Sequence, residues 1–141
     1  MNYAGDIDCK ACWQVLQENS SAVLVDVRTM PEWNFVGVPV LDAIGKKLIT
    51  VEWQKFPTME INSQFVADVT ARIDEMGLDK QSEVFCLCRS GVRSIAAAQA
   101  LTSHGFSKAY NVLGGFEGDK DQNGHRASVA GWKFDGLPWV Q

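Results

Sequence analysis

Glu83-Val84-Phe85-Cys86-Leu87-Cys88-Arg89-Ser90-Gly91-Val92-Arg93-Ser94, followed by the alanine-rich stretch Ile95–Leu101, decides how this chain is read. After Glu83, Val84–Cys88 form an apolar run without alternation, the pattern of a strand buried on both faces. Arg89-Ser90-Gly91 is a tight turn. Residues 92–103 then predict a helix, because alanine has the highest helix propensity, and Gly105 supplies its stop. A buried strand, a turn and a helix in this order belong to an α/β fold with a parallel sheet.

The flanking sequence repeats the alternation. Ala22-Val23-Leu24-Val25-Asp26-Val27 is a second buried strand, rich in β-branched residues and ended by a polar cluster. Before it, Asp8 can cap a helix over about residues 9–18 with Trp13 and Leu16 on one face, broken by Asn19-Ser20-Ser21. Pro31, Pro39 and Pro57 rule out any long element between 28 and 60, leaving a short strand near 48–51. Asn62 or Ser63 opens a further helix, with Phe65, Val66, Val69, Ile73 and Met76 at helical spacing and Gly77 as its stop. Residues 109–112 form another short strand, and 118–141 read mostly as loop. The expected fold class is α/β: a central, mainly parallel sheet flanked by helices on both faces.

At 141 residues the chain suits one domain, residues 1–141. Its 46% hydrophobic and 21% charged content is that of a globular protein. Acidic residues outnumber basic ones, 17 against 13. Such a chain is a poor candidate for coating nucleic acid or an anionic membrane, so neither is expected as a partner; a small anion at one local site is not excluded. The first residues lack the basic start and apolar core of a signal peptide, and no apolar run approaches the ~18 residues of a membrane span. The expected location is cytoplasmic. In that setting four cysteines are core residues, metal ligands or catalysts rather than a disulfide framework.

Cys88 stands where a catalyst is expected. In open α/β sheets the site lies at the carboxyl ends of the strands. A side chain at that end meets inward-pointing N–H groups of the turn and the positive end of the following helix. Both favour thiolate over thiol, as do the charges of Arg89 and Arg93. An anionic nucleophile facing an anionic substrate fits these residues. Cys86, inside the strand, reads as an inert core residue.

These motifs resemble those of the single-domain rhodaneses, a sulfurtransferase family. Cys88-Arg89-Ser90-Gly91-Val92-Arg93-Ser94 is similar to the family's active-site loop, and Val25-Asp26-Val27-Arg28 to its Asp-Val-Arg strand end. Glu32-Trp33 resembles the Glu-aromatic pair that follows. Asn111–Phe116, Gly131-Trp132 and Gly136-Leu137-Pro138 resemble the closing segments. The resemblance implies a rhodanese-like fold and a thiosulfate sulfurtransferase. Cys88 would be the nucleophile that takes up a sulfane sulfur, and Arg89, Ser90, Gly91, Val92, Arg93 and Ser94 the loop that binds the donor. Asp26 and Arg28 would support the loop as an ion pair. The implied partners are a small anionic sulfur donor and a thiol or protein acceptor, with no cofactor and no metal. Thiosulfate suits the two loop arginines better than 3-mercaptopyruvate does. The chain departs from the family after Glu32-Trp33, where Gly37-Val38-Pro39-Val40-Leu41-Asp42 replaces a histidine-containing segment, and it carries an extra loop at about 117–130.

Two rival functions are weighed. Cysteine phosphatases and arsenate reductases use Cys-x5-Arg, whereas Arg93 gives Cys-x4-Arg, a smaller loop that suits a sulfur atom better than a phosphate. The second rival is a catalytically weak sulfur carrier or interaction module; inactive rhodanese-like interaction modules typically lack the cysteine, whereas Cys88 and both arginines are present. Elsewhere, Cys9 and Cys12 form a C-x-x-C that reads as part of a helix's apolar face rather than a redox or zinc pair. Asp119-Lys120-Asp121-Gln122-Asn123-Gly124 has the opening of a calcium loop but Ala130 at the twelfth position, and reads as a polar turn. His104 and His125 are expected to be structural, and Trp33, Trp132 and Trp139 are candidates for the pocket wall.

Overall fold

Each apolar run read from the sequence is a strand in the computed structural model, which describes residues 2–141. β1 (Gly5–Asp8) runs into α1 (Cys9–Glu18), whose N-terminus Asp8 caps by accepting from the Ala11 N–H at 2.8 Å. Then come β2 (Val23–Asp26), α2 (Met30–Phe35), β3 (Val38–Pro39), a 3-10 turn at Asp42–Ile44 and β4 (Ile49–Thr50). A small hairpin of β5 (Gln54–Lys55) and β6 (Glu60–Ile61) precedes α3 (Phe65–Glu75). β7 (Val84–Leu87), α4 (Arg93–Ser103), β8 (Ala109–Leu113) and β9 (Trp139–Val140) complete the order.

The main sheet has the order β1-β8-β7-β2-β4, and all its neighbouring pairs are parallel. Alternation along the central strands explains their unbroken apolar runs. Val23, Val25, Val84 and Cys86 pack with Phe65, Val69 and Ile73 of α3 and Ala97, Ala98 and Leu101 of α4. Leu24, Phe85 and Leu87 face the other way, onto Cys9, Cys12 and Leu16 of α1. A strand covered on both sides has no reason to alternate polar with apolar residues. The helices therefore cover both faces, as expected.

Several elements differ from the sequence expectation, among them the short strands β3, β5, β6 and β9 as well as β1, α2 and α3. β1 was not anticipated, because Gly5-Asp6-Ile7-Asp8 has only one large apolar residue; it is an edge strand held by its register with Tyr110–Leu113 of β8. α2 forms in the proline-broken region because Pro31 stands in its first turn, where a missing N–H is tolerated. α3 opens at Phe65 rather than at Asn62 or Ser63. The Asn62 side chain accepts from the Gln64 N–H and its carbonyl from the Phe65 N–H, which makes a turn before the helix. The tail is mostly turns, closed by β9 pairing antiparallel with β3.

No helix among the described residues is long and apolar enough to cross a membrane. All four cysteines are free. Cys9 and Cys12 lie in the core, and burial drives the Cys9 thiol up to about 12 and the Cys12 thiol well above its usual range. Burial likewise raises Cys86. These are packed thiols. The Asp121 carboxylate is occupied within its own turn, accepting from the Asn123 and His125 N–H groups and the Ser128 hydroxyl. His104 donates from Nδ1 to the Ala100 carbonyl at the end of α4.

Candidate active site

β7 ends at Leu87 and α4 begins at Arg93, so Cys88 stands at the carboxyl end of a central strand, against the N-terminus of a helix. Its side chain is almost fully buried, at 1% exposure, and lines the base of a cavity of about 630 Å³. Gly91, at φ 106°, turns the loop so that its N–H donates to Cys88 Sγ at 3.1 Å. Ser94 Oγ lies 3.1 Å from the same sulfur. The segment after β8 fixes the loop from outside. Phe116 N–H donates to the Cys88 carbonyl, and the N–H groups of Glu117 and Gly118 donate to the Arg89 carbonyl. This approach needs Gly115, since a Cβ there would stand 2.5 Å from the Cys88 carbonyl oxygen.

Of the loop residues expected from the sequence, Gly91 and Ser94 contact the sulfur, while Arg89, Ser90, Val92 and Arg93 line the cavity. Arg89 is exposed at the cavity mouth and forms no ion pair among the described residues. Arg93 turns to Glu32 of α2, with two hydrogen bonds of 2.7 and 2.9 Å. Its charge is therefore compensated rather than free for a ligand, which the sequence reading did not anticipate. Burial raises the Glu32 carboxyl, but the Arg93 hydrogen bonds and charge, helped by Thr29, outweigh it and hold the group at about 2. A depressed carboxyl stabilises the fold when ionised. The contribution is complete above its ordinary value of 4.5 and fades as pH falls towards about 2. Glu32→Gln should therefore be less stable than wild type in urea unfolding above about pH 4.5, with the difference shrinking towards about pH 2. A pH-independent difference would show that ionisation of Glu32 does not contribute.

Asp26 and Arg28 form the expected ion pair, fully buried and bidentate at 2.9 and 2.7 Å. Arg28 also donates to the Gly37 carbonyl at 2.7 Å, and its guanidinium lies 4.3 Å from the centre of the Phe116 ring. The pair thus ties the end of β2 to the segment that holds the Cys88 loop. The cavity wall corrects the expectation about tryptophans: Trp33, Trp132 and Trp139 are absent from it. Trp132 is instead a core residue, edge-on to Trp13 and bonded to the Pro138 carbonyl. The wall comes from Glu32 and Val36, from Gln54 and Met59 of the β5–β6 hairpin, and from Glu117 and Arg126 of the extra loop.

One functional candidate was missed. Asn111 is buried in β8 and accepts a hydrogen bond from Ser94. The available signal was a lone amide inside the strand Ala-Tyr-Asn-Val-Leu, since a buried polar side chain implies partners.

Comparison with known proteins places the chain. The sequence model of the family described as STR4 middle domain matches residues 5–141. The uncharacterized protein RC0915 of Rickettsia conorii is 39% identical over 127 residues, which is 90% of this chain and 89% of that protein. Rhodanese-like domain-containing protein 11, chloroplastic, of Arabidopsis thaliana is 28% identical over 136 residues, 84% of this chain but 45% of that protein. The crystal structure of Rv0390 from M. tuberculosis aligns with a TM-score of 0.88 and 46% identity, over 99% of this chain and 98% of that one. The polysulfide-sulfur transferase homodimer of Wolinella succinogenes aligns with a TM-score of 0.61 at 24% identity, over 96% of this chain and 77% of that one, a likeness of fold. The fold is rhodanese-like.

Proposed function

The chain belongs to the STR4 middle-domain family, and on that premise we propose that it is a sulfurtransferase that carries a sulfane sulfur on Cys88. The observation that carries this reading is the seating of Cys88. Its sulfur lines a cavity, faces a backbone N–H donor at 3.1 Å, and has nearby an exposed arginine, Arg89, that forms no ion pair among the described residues.

Thiosulfate is the proposed donor. The Cys88 thiolate attacks its outer sulfur, and a new S–S bond forms as the bond to the sulfonate sulfur breaks. The electron pair of that bond leaves with sulfite, a dianion like the thiosulfate that entered, and the single negative charge moves from Cys88 Sγ to the outer sulfur of the persulfide. An acceptor thiolate then attacks the outer sulfur and releases Cys88 as thiolate, which closes a ping-pong cycle. Arg89 draws the dianion to the mouth and stabilises departing sulfite. Gly91 N–H stabilises negative charge at the sulfur. Arg93, fixed by Glu32, holds the loop's helical side in place. Four free cysteines suit a reducing compartment, in keeping with a cytoplasmic enzyme.

Intact-mass spectrometry tests the reading directly. Protein incubated with thiosulfate should gain the mass of one sulfur atom and lose it on addition of a thiol or cyanide. Protein that takes up no sulfur from thiosulfate, mercaptopyruvate or polysulfide would overturn the proposal in favour of an interaction module.

A further inference from the structure

The polar groups behind Cys88 form a chain that reaches the protein surface. Ser94 Oγ donates to Asn111 Oδ1 at 2.5 Å, and Asn111 Nδ2 donates to Asp6 Oδ1 at 3.0 Å. Asp6 lies on the edge strand β1 and also accepts from the Tyr3 hydroxyl. Proton counting fixes the direction of every link. A carboxylate has no proton to donate, so the amide nitrogen of Asn111 must face Asp6 and its carbonyl oxygen must face Ser94. A serine hydroxyl has one proton, and here Asn111 receives it. Ser94 therefore presents lone pairs to Cys88 Sγ, 3.1 Å away.

We infer that Asp6 and Asn111 are positioning residues that set the polarity of the Ser94–Cys88 contact, with Ser94 the acceptor. A lone pair facing Sγ suits a thiol, which has a proton to donate, or a sulfur without charge, and opposes a thiolate. Gly91 N–H is then the one hydrogen-bond donor on Sγ among the described residues. The use of this device rests on the proposed sulfur transfer. In the persulfide the negative charge sits on the outer sulfur, so the opposition is felt by the empty thiolate and not by the loaded cysteine. The chain from Asp6 thereby favours the sulfur-loaded state over the empty one.

The test measures the thiolate absorbance of sulfur-free protein at a pH where Cys88 is partly ionised, taking each variant against the same variant carrying Cys88→Ala. Asn111→Leu removes the acceptor of the Ser94 proton, and Asp6→Ala frees the Asn111 amide to turn its NH2 towards Ser94, so either change lets Ser94 donate to the sulfur. Both should raise the thiolate-to-thiol ratio by about tenfold, the scale of one hydrogen bond to a charged group. Ser94→Ala should not lower the ratio, and Asp6→Ala added to Ser94→Ala should raise it no further. Asp6 is exposed, so its replacement keeps the test available even where a change at buried Asn111 prevents folding. A fall in Ser94→Ala would make Ser94 the donor to the thiolate and overturn the inference. So would unchanged ratios in the other variants, or an Asp6 effect that persists without Ser94 and is therefore a long-range charge effect. Because no sulfur donor is present, this outcome is independent of whether thiosulfate loads Cys88.

Discussion

Cys88→Ser should transfer no sulfur from thiosulfate to cyanide above the uncatalysed rate, a loss on the order of 10⁴ or more for removal of a covalent nucleophile. The substitution keeps the geometry. A hydroxyl oxygen can occupy the same place beside the Gly91 N–H and Ser94, so the loop has no reason to collapse. What is lost is chemical, because serine is not ionised near neutral pH and cannot form a persulfide. Steady-state assay of folded Cys88→Ser, with matching thermal unfolding, separates the two effects. Residual turnover near the wild-type level would place the nucleophile elsewhere. Cys9, Cys12 and Cys86 are poor substitutes, since burial raises each thiol and packs it in the core.

The second large effect concerns stability. Asp26→Ala is expected to destabilise the fold by about 3–5 kcal/mol, because it strands a charge that the structure has fully desolvated. Arg28 makes two side-chain hydrogen bonds to the Asp26 carboxylate, and its Nη1 has no partner among the described residues. Without Asp26 only the Gly37 carbonyl and the face of Phe116 remain to it. Against the roughly 5–15 kcal/mol of an ordinary domain this is a large share. Urea unfolding at constant slope would show it as a lower midpoint. Asp26→Leu combined with Arg28→Met should recover most of the loss, since two apolar groups of similar size bury no charge. A loss within the ~0.5 kcal/mol typical of surface changes would mean that the pair does not hold this end of the sheet. Because Phe116 bonds the Cys88 carbonyl, Asp26→Ala should also loosen the active-site loop in whatever protein remains folded.

The legible parts of this molecule share one property: their cause is local. Unbroken apolar runs gave β2 and β7, since strands covered on both faces leave that pattern. Ile95–Leu101 gave α4, and Asp8 by its capping side chain and Gly77 by its positive φ marked helix ends. The conformation of the Cys88 loop was equally readable, because the cysteine, glycine and arginines are adjacent. What escaped is made by distance. Glu32 meets Arg93 across 61 residues, and nothing near Arg93 announces that its charge is already compensated. Asp6 reaches Asn111 across 105 residues through a strand with little apolar character. The Asp26–Arg28 pair was visible because two residues separate its members, yet its hold on Gly37 and Phe116 was not. The tryptophans misled because aromatic bulk suits a core as well as a pocket wall, and only packing distinguishes the two.

The strand order carries a consequence for how the molecule assembles. β1 enters the sheet beside β8, so the first strand of the chain pairs with the last strand of the parallel sheet. Such a pairing closes a loop of about a hundred residues, whose entropic cost must be met before the contact rewards it. Until then β8 is an open edge whose unpaired N–H and carbonyl groups can accept a strand from another chain. The pairing of β1 thus covers the β8 edge and places Asp6 beside Asn111 in the same contact.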